Sequence, residues 1–153
     1  MSRWHYLDPP LVALLPIAFA LHVVEEAVGG FRQWTARVTG TPMPLDAFVL
    51  VNAIGLVLFV AGAWIVIRAQ RRGWLVVTLA TILVANALLH LGGTVLTRAY
   101  SPGLFTGIVL YLPIGGLVLG RAMAQASRRD LAIGVFAALA LHGCASVIAM
   151  SAI

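Results

Sequence analysis

The sequence predicts an all-α protein, a polytopic membrane helix bundle of five transmembrane helices with its N-terminus in the cytoplasm and its C-terminus outside. Three observations predict it: the composition is too apolar for a water-facing domain, five apolar runs have the length of a bilayer crossing, and the arginines gather at alternate ends of those runs. Of 153 residues, 61% are hydrophobic and 10% charged, with a mean hydropathy of +1.01. Soluble domains carry about 45–50% apolar and about 25% charged residues. Too little polar surface remains here to coat a soluble globule.

A hydrocarbon core of about 30 Å needs roughly 20 apolar residues at 1.5 Å per residue. The runs 10–29, 46–67, 74–96, 103–121 and 130–152 meet that length and leave room for a single membrane domain, 1–153. Gly29-Gly30 closes the first run, and Thr41-Pro42-Met43-Pro44 precedes the second. Arg71-Arg72-Gly73 and Ser101-Pro102-Gly103 are tight turns, and Ser127-Arg128-Arg129-Asp130 supplies a cap for the last helix. A four-span arrangement would leave a terminal apolar run unexplained. The leader carries a single Arg3, and His22, Glu25 and Glu26 stand where a signal cleavage region would lie, so the first run reads as a retained span.

Arginines set the orientation. Arg3, Arg68, Arg71, Arg72, Arg121, Arg128 and Arg129 fall on one side, and Arg32, Arg37 and Arg98 on the other. The richer side is the cytoplasmic one. The pI near 10.7 does not indicate nucleic acid, because the arginines sit at helix ends and form no long basic run. Abundant Ala, Gly, Val and Arg with no Lys points to a high-GC bacterium, hence to the bacterial cytoplasmic (inner) membrane with its lipids as surroundings. The one cysteine, Cys144, excludes an intrachain disulfide, and its offset turns it away from His142. His5 reads as interfacial, as do Phe31 and Trp34 in the long first connection, an interfacial loop or a substrate lid.

Polar residues inside the spans share one depth. Counted from the outer ends, Glu26, His22, Asn52, His90, Asn86, His142 and Tyr111 lie roughly 6–15 Å below the outer surface. Thr78 and Thr81 are the main polar residues deeper in. Positions three and four apart share a helix face, so His22, Glu25 and Glu26 occupy one arc of about 100°, and Asn86 stacks one turn from His90. These residues imply a shared pocket opening outward. An acidic residue mid-membrane costs about 2.5–3.5 kcal/mol. Two adjacent glutamates therefore need protonation, histidines or a cation to neutralise them.

His-x-x-Glu-Glu on a helix offers an imidazole and carboxylates, a donor set suited to a divalent metal ion such as zinc or iron. A mononuclear site made by His22, Glu26 and His90, with His142 as a fourth ligand, is the economical arrangement. Asn52 and Asn86 would orient a ligand imidazole from behind or bond across helices. The structural alternative is a hydrogen-bonded polar knot between helices. Gly92-Gly93, Gly115-Gly116 and Gly120 permit close helix packing.

At His22-Val23-Val24-Glu25-Glu26, Asn86-Ala87-Leu88-Leu89-His90 and Tyr100-Ser101-Pro102-Gly103 the chain resembles the HXXEE family of small bacterial membrane proteins. The resemblance covers most of the chain. It implies the site and leaves the reaction open.

The residues themselves favour a metal-dependent integral-membrane enzyme, hydrolase-like or oxidative, acting on a lipid or another apolar small molecule. In the hydrolytic version Glu25 is the general base and Tyr111, in mid-helix at pocket depth, a proton donor. A metal-independent His/Glu isomerase is a second version. A proton-coupled or metal-ion carrier, or its accessory subunit, is the non-enzymatic alternative. The polar layer stops short of the cytoplasmic face, so a carrier would need a homo-oligomer or another conformation to complete the path.

Overall fold

A computed structural model describes residues 8–69 and 73–151, with side chains through 148. Arg3, His5, Arg71, Arg72 and Ala152 lie outside the described residues. The described residues form helices and connections with no strand: α1 Pro9–Gly29, α2 Phe31–Trp34, α3 Ala36–Thr39, α4 Leu45–Ala69 and α5 Gly73–Thr97. Then α6 Leu104–Thr106 runs through π-helical turns, Gly107–Gly115, into α7 Gly116–Met123, and α8 Arg128–Ser151 follows. Five helices are long and apolar enough to cross a membrane: Pro9–Gly29, Leu45–Ala69, Gly73–Thr97, Leu104–Met123 and, within α8, Arg128–Ile148. Their limits fall close to the five runs read from the sequence.

Local chemistry explains these limits. Pro9 and Pro10 open α1, where a missing N–H costs nothing. Gly30, at φ +78, closes it by donating its N–H to the Glu26 carbonyl. At the start of α8 the Ser127 hydroxyl accepts from the Asp130 N–H at 3.1 Å and donates to the Asp130 carboxylate at 2.9 Å, the cap expected from the sequence.

The fourth span departs from a plain α-helix. Pro113 sits within its widened turns. A proline ring in an α-turn presses on the carbonyl four residues back, and widening relieves that contact. Gly107, Tyr111 and Gly115, four apart, are the buried positions of this stretch. Gly107 meets Ala87, and Gly115 meets the Ala80 carbonyl and Leu83, so two missing side chains let the span lie close on α5.

α5 is the hub. It packs against α8, the fourth span, α4 and α1, and 44% of its apolar window is buried against 11% for α8. Its Val76, Val77, Leu79, Ala80 and Leu83 join Val12 and Leu15 of α1, Phe59 of α4 and Val118 of α7 in one apolar core. Not every expected packing glycine belongs to it. Gly92, Gly116 and Gly120 face open space, because the close approaches fall at Gly107, Gly115 and Gly134 instead.

At one end of the bundle Asp8 and Arg121 pair at 3.6 Å, tying the start of α1 to the end of the fourth span. At the other end the C-termini of α1 and α5, the 30–44 connection and the start of α6 converge. The 30–44 connection is closed on itself: Arg32 Nε donates to the Met43 carbonyl at 2.9 Å, and the Met43 N–H donates to Thr35 Oγ1 at 2.9 Å. Phe31 and Trp34 in this connection are half-buried. Phe31 packs on the buried Met43, Ala47 and Phe48, and the Trp34 indole lies over Gly93, where a side chain would collide with it.

Candidate metal centre

Three side chains converge below this end. His22 and Glu26 share a face of α1, one turn apart, and His90 approaches from α5. Glu26 Oε1 lies 3.6 Å from His22 Nε2 and 3.3 Å from His90 Nε2, and the three potential ligand atoms all lie within 4.8 Å of one another. All three residues are buried, at 2%, 6% and 3% exposure for His22, Glu26 and His90.

The other nitrogen of each ring is held from behind. His22 Nδ1 is 2.8 Å from Thr106 Oγ1, and His90 Nδ1 is 2.9 Å from Ser101 Oγ. The Thr106 hydroxyl also donates to the Gly103 carbonyl at 3.4 Å, which leaves its oxygen to accept from an Nδ1–H. In that tautomer His22 Nε2 carries a lone pair. At 3.6 Å from Glu26 it lies beyond hydrogen-bonding range and has no hydrogen-bond partner among the described residues. A buried acceptor without a donor is costly, and a cation removes that cost.

The spacing fits a metal. Two atoms each about 2.0–2.1 Å from a tetrahedral zinc stand roughly 3.3–3.4 Å apart. The carboxylate-to-imidazole distances of 3.3 and 3.6 Å match within a few tenths of an ångström. Imidazoles whose second nitrogen is hydrogen-bonded are the usual form of histidine ligands.

Tyr111 reaches the same place from the widened turns of the fourth span. Its ring stacks on His22 with centroids 4.3 Å apart, and it is 1% exposed. Its hydroxyl has no hydrogen-bond partner among the described residues and lies within electrostatic reach of Glu26. The His22 and His90 rings meet edge to face at 4.9 Å, and Phe31 covers His90 at 5.4 Å. Gly103 closes the top. A Cβ there would lie 2.5 Å from His90 Cε1 and 2.8 Å from His22 Cε1, and the backbone stands at φ +106. Both facts require glycine.

The residues read from the sequence divide clearly. His22, Glu26, His90 and Tyr111 come together. His142 is half-buried on α8, within electrostatic range of all three ligand candidates, and stands outside the triad. Asn52 donates to the Phe48 carbonyl of its own helix at 3.0 Å, and the buried Asn86 Oδ1 has no partner among the described residues, so neither is seen to hold an imidazole. Cys144 is exposed and free.

Glu25 turns to the 100–106 connection. Its Oε1 accepts from the Gly103 N–H at 2.9 Å, the Phe105 N–H at 3.1 Å and the Tyr100 hydroxyl, and its Oε2 accepts from the Thr106 N–H at 2.7 Å. Partial burial and this bond hold the Tyr100 phenol above its usual range, so it remains a donor.

Residues 13–118 match the family described as protein of unknown function with HXXEE motif. The chain belongs to the HXXEE family. The matched segment contains the whole triad with Ser101, Thr106 and Tyr111, and it ends before α8 and His142. The chain is 27% identical over 114 residues to the uncharacterized protein YrkK of Bacillus subtilis (strain 168), covering 71% of this chain and 72% of that one. No solved structure matches it.

The HXXEE motif thus names His22 and Glu26, but the hydroxyls that orient the imidazoles are not in it. Sequence reasoning passed over Thr106 and took Ser101 only as part of a turn and of the resemblance to the family. The available signal was their placement on either side of Gly103, in a turn directly preceding a span.

Proposed function

We propose that this HXXEE protein resides in the bacterial cytoplasmic membrane, N-terminus inside and C-terminus outside. There it holds a divalent metal ion, zinc or iron, on His22, Glu26 and His90. The observation that carries the reading is the convergence of two imidazole Nε2 atoms and one carboxylate oxygen, with both Nδ1 atoms already engaged by hydroxyls. The arginine distribution puts the site towards the outer leaflet.

The activity we infer is that of a metal-dependent membrane enzyme acting on a lipid or apolar small molecule. A metal held by the triad would supply Lewis acidity to an oxygen drawn into the site. The chain's own contribution is threefold. Glu26 and the two imidazoles fix one donor atom each. Phe31, Trp34 and the 101–103 turn cover the site and keep bulk water out. Tyr111 keeps a phenol proton at the site, free of other partners, for transfer to an oxygen gaining negative charge. Glu25 is spent on the 100–106 turn and is not assigned the base role.

Elemental analysis of the purified chain tests this directly. One equivalent of metal in the wild type, lost in Glu26→Gln and in His90→Ala, is expected. A metal-free wild type unable to take up added zinc would sink the proposal.

One observation favours a carrier as the second reading. Asn86 Oδ1, buried and with no partner among the described residues, lies one turn of α5 from His90 on the same side of the helix. Proteoliposome uptake of zinc or protons that Glu26→Gln abolishes, with no turnover of lipid, would favour it.

A further inference from the structure

We infer that the adjacent carboxylates of the motif have separate duties: Glu26 faces the ligand, and Glu25 is a positioning residue that grips the 100–106 turn and thereby sets both imidazoles. The affinity part of the inference rests on the metal reading above. The contacts on which it is built do not.

Glu25 gathers three backbone N–H groups and a phenol on two oxygens. Those amides open the helix that begins at Leu104 and have no intrahelical acceptor. At membrane depth they need a partner, and an anion at a helix N-terminus is a favourable one. Among the described residues, Glu25 shares no hydrogen bond with His22, Glu26 or His90. All of its polar contacts go to the turn.

What the turn carries gives those contacts their consequence. Ser101 and Thr106 are the hydroxyls behind His90 and His22, and between them Gly103 lies against both rings. The turn is therefore one rigid bracket for two imidazoles that come from different helices. Its other hold is Thr94, whose hydroxyl accepts from the Ser101 N–H at 3.0 Å. Loosening Glu25 would leave the His22–Thr106 hydrogen bond as the polar tie between the bracket and α1, and the three donor atoms of the triad chemically intact. The helical register makes this division natural: Glu26 lies one turn above His22, and Glu25 is rotated about 100° from Glu26 towards the turn.

Zinc binding to the full chain in detergent, together with amide hydrogen exchange, tests the proposal. In the metal-free protein Glu25→Gln should speed exchange at Gly103, Phe105 and Thr106. It should weaken zinc binding by about 10–100-fold with the stoichiometry unchanged, the range found when groups behind metal ligands are removed. The pair Ser101→Ala with Thr106→Val should weaken binding to a similar degree. Adding Glu25→Gln to that pair should then cost almost nothing more, because Glu25 acts through those hydroxyls.

Additive losses, or wild-type affinity in Glu25→Gln despite lost amide protection, would overturn the proposal. Should Glu25→Gln fail to fold, Tyr100→Phe removes one of the four contacts and must give a smaller loss in the same direction. If the wild type binds no zinc, the metal reading fails on its own. The positioning role is then decided by the ring-nitrogen chemical shifts of His22 and His90, which Glu25→Gln must move and which an idle Glu25 would leave in place.

Discussion

The two ends of the bundle are built on different principles. At the end that holds Asp8, Arg121 and the Ser127–Asp130 cap, polar contacts are exposed, and the cap is local in sequence. At the opposite end, polar contacts centred on buried residues join positions up to 84 apart, as between the buried His22 and the half-buried Thr106. Water can stand in for the first kind of contact far more readily than for the buried triad at the centre of the second. The first end is thus tolerant of change, and the second is a connected network in which each loss strands a partner.

The largest expected effect comes from breaking the network at its centre. Glu26→Gln removes the carboxylate that, alone among the described residues, lies beside both Nε2 atoms, and metal uptake should fall by more than the roughly 100-fold ceiling for groups behind the ligands. Elemental analysis and zinc titration read it. Next is Gly103→Ala, which combines a strained positive φ with a collision against both imidazoles. It should cost roughly 2–4 kcal/mol in thermal unfolding measured in detergent. A Gly103→Ala protein as stable as the wild type would mean that the turn does not press on the histidines.

The opposite end should give smaller numbers. Ser127→Ala loses a helix cap and about 1 kcal/mol. Asp8→Asn removes an exposed ion pair and should change stability by less than about 1 kcal/mol, whatever the salt concentration. A loss at Asp8 comparable with that at Gly103 would erase the contrast between the ends.

The sequence made the helical part of this picture legible. Five runs of bilayer length are a strong signal, and positions four apart on α1 identify His22 and Glu26 as neighbours without further information. Counting residues from the span ends brought His90 and Tyr111 to the same depth. Depth is a coarse coordinate, however. It also admitted Asn52 and His142, and the structure separates them because the face of a helix decides between a shared site and a neighbouring one. Glu25 shows the limit most clearly: its arc on α1 includes His22, yet its partners are backbone amides of a turn nearly eighty residues away. Main-chain donors have no letter in a sequence. The widened turns around Pro113, which deliver Tyr111 to the imidazole, were hidden for a similar reason, since a proline in an apolar run reads equally as a kink.

The hydroxyls behind the two imidazoles have one more consequence, which concerns charge. Ser101 and Thr106 orient the rings without contributing any. A carboxylate in either position would orient equally well and add an anion to a buried cluster. When both imidazoles are neutral, as metal ligation requires, the formal charge of the cluster is that of Glu26 alone. One proton or one monovalent cation brings it to neutrality. A divalent ion leaves one positive charge over, which a low-dielectric bundle can hold only beside an anion. With such an ion held by the triad, serine and threonine in place of aspartate would favour a ligand or substrate that arrives with a negative oxygen.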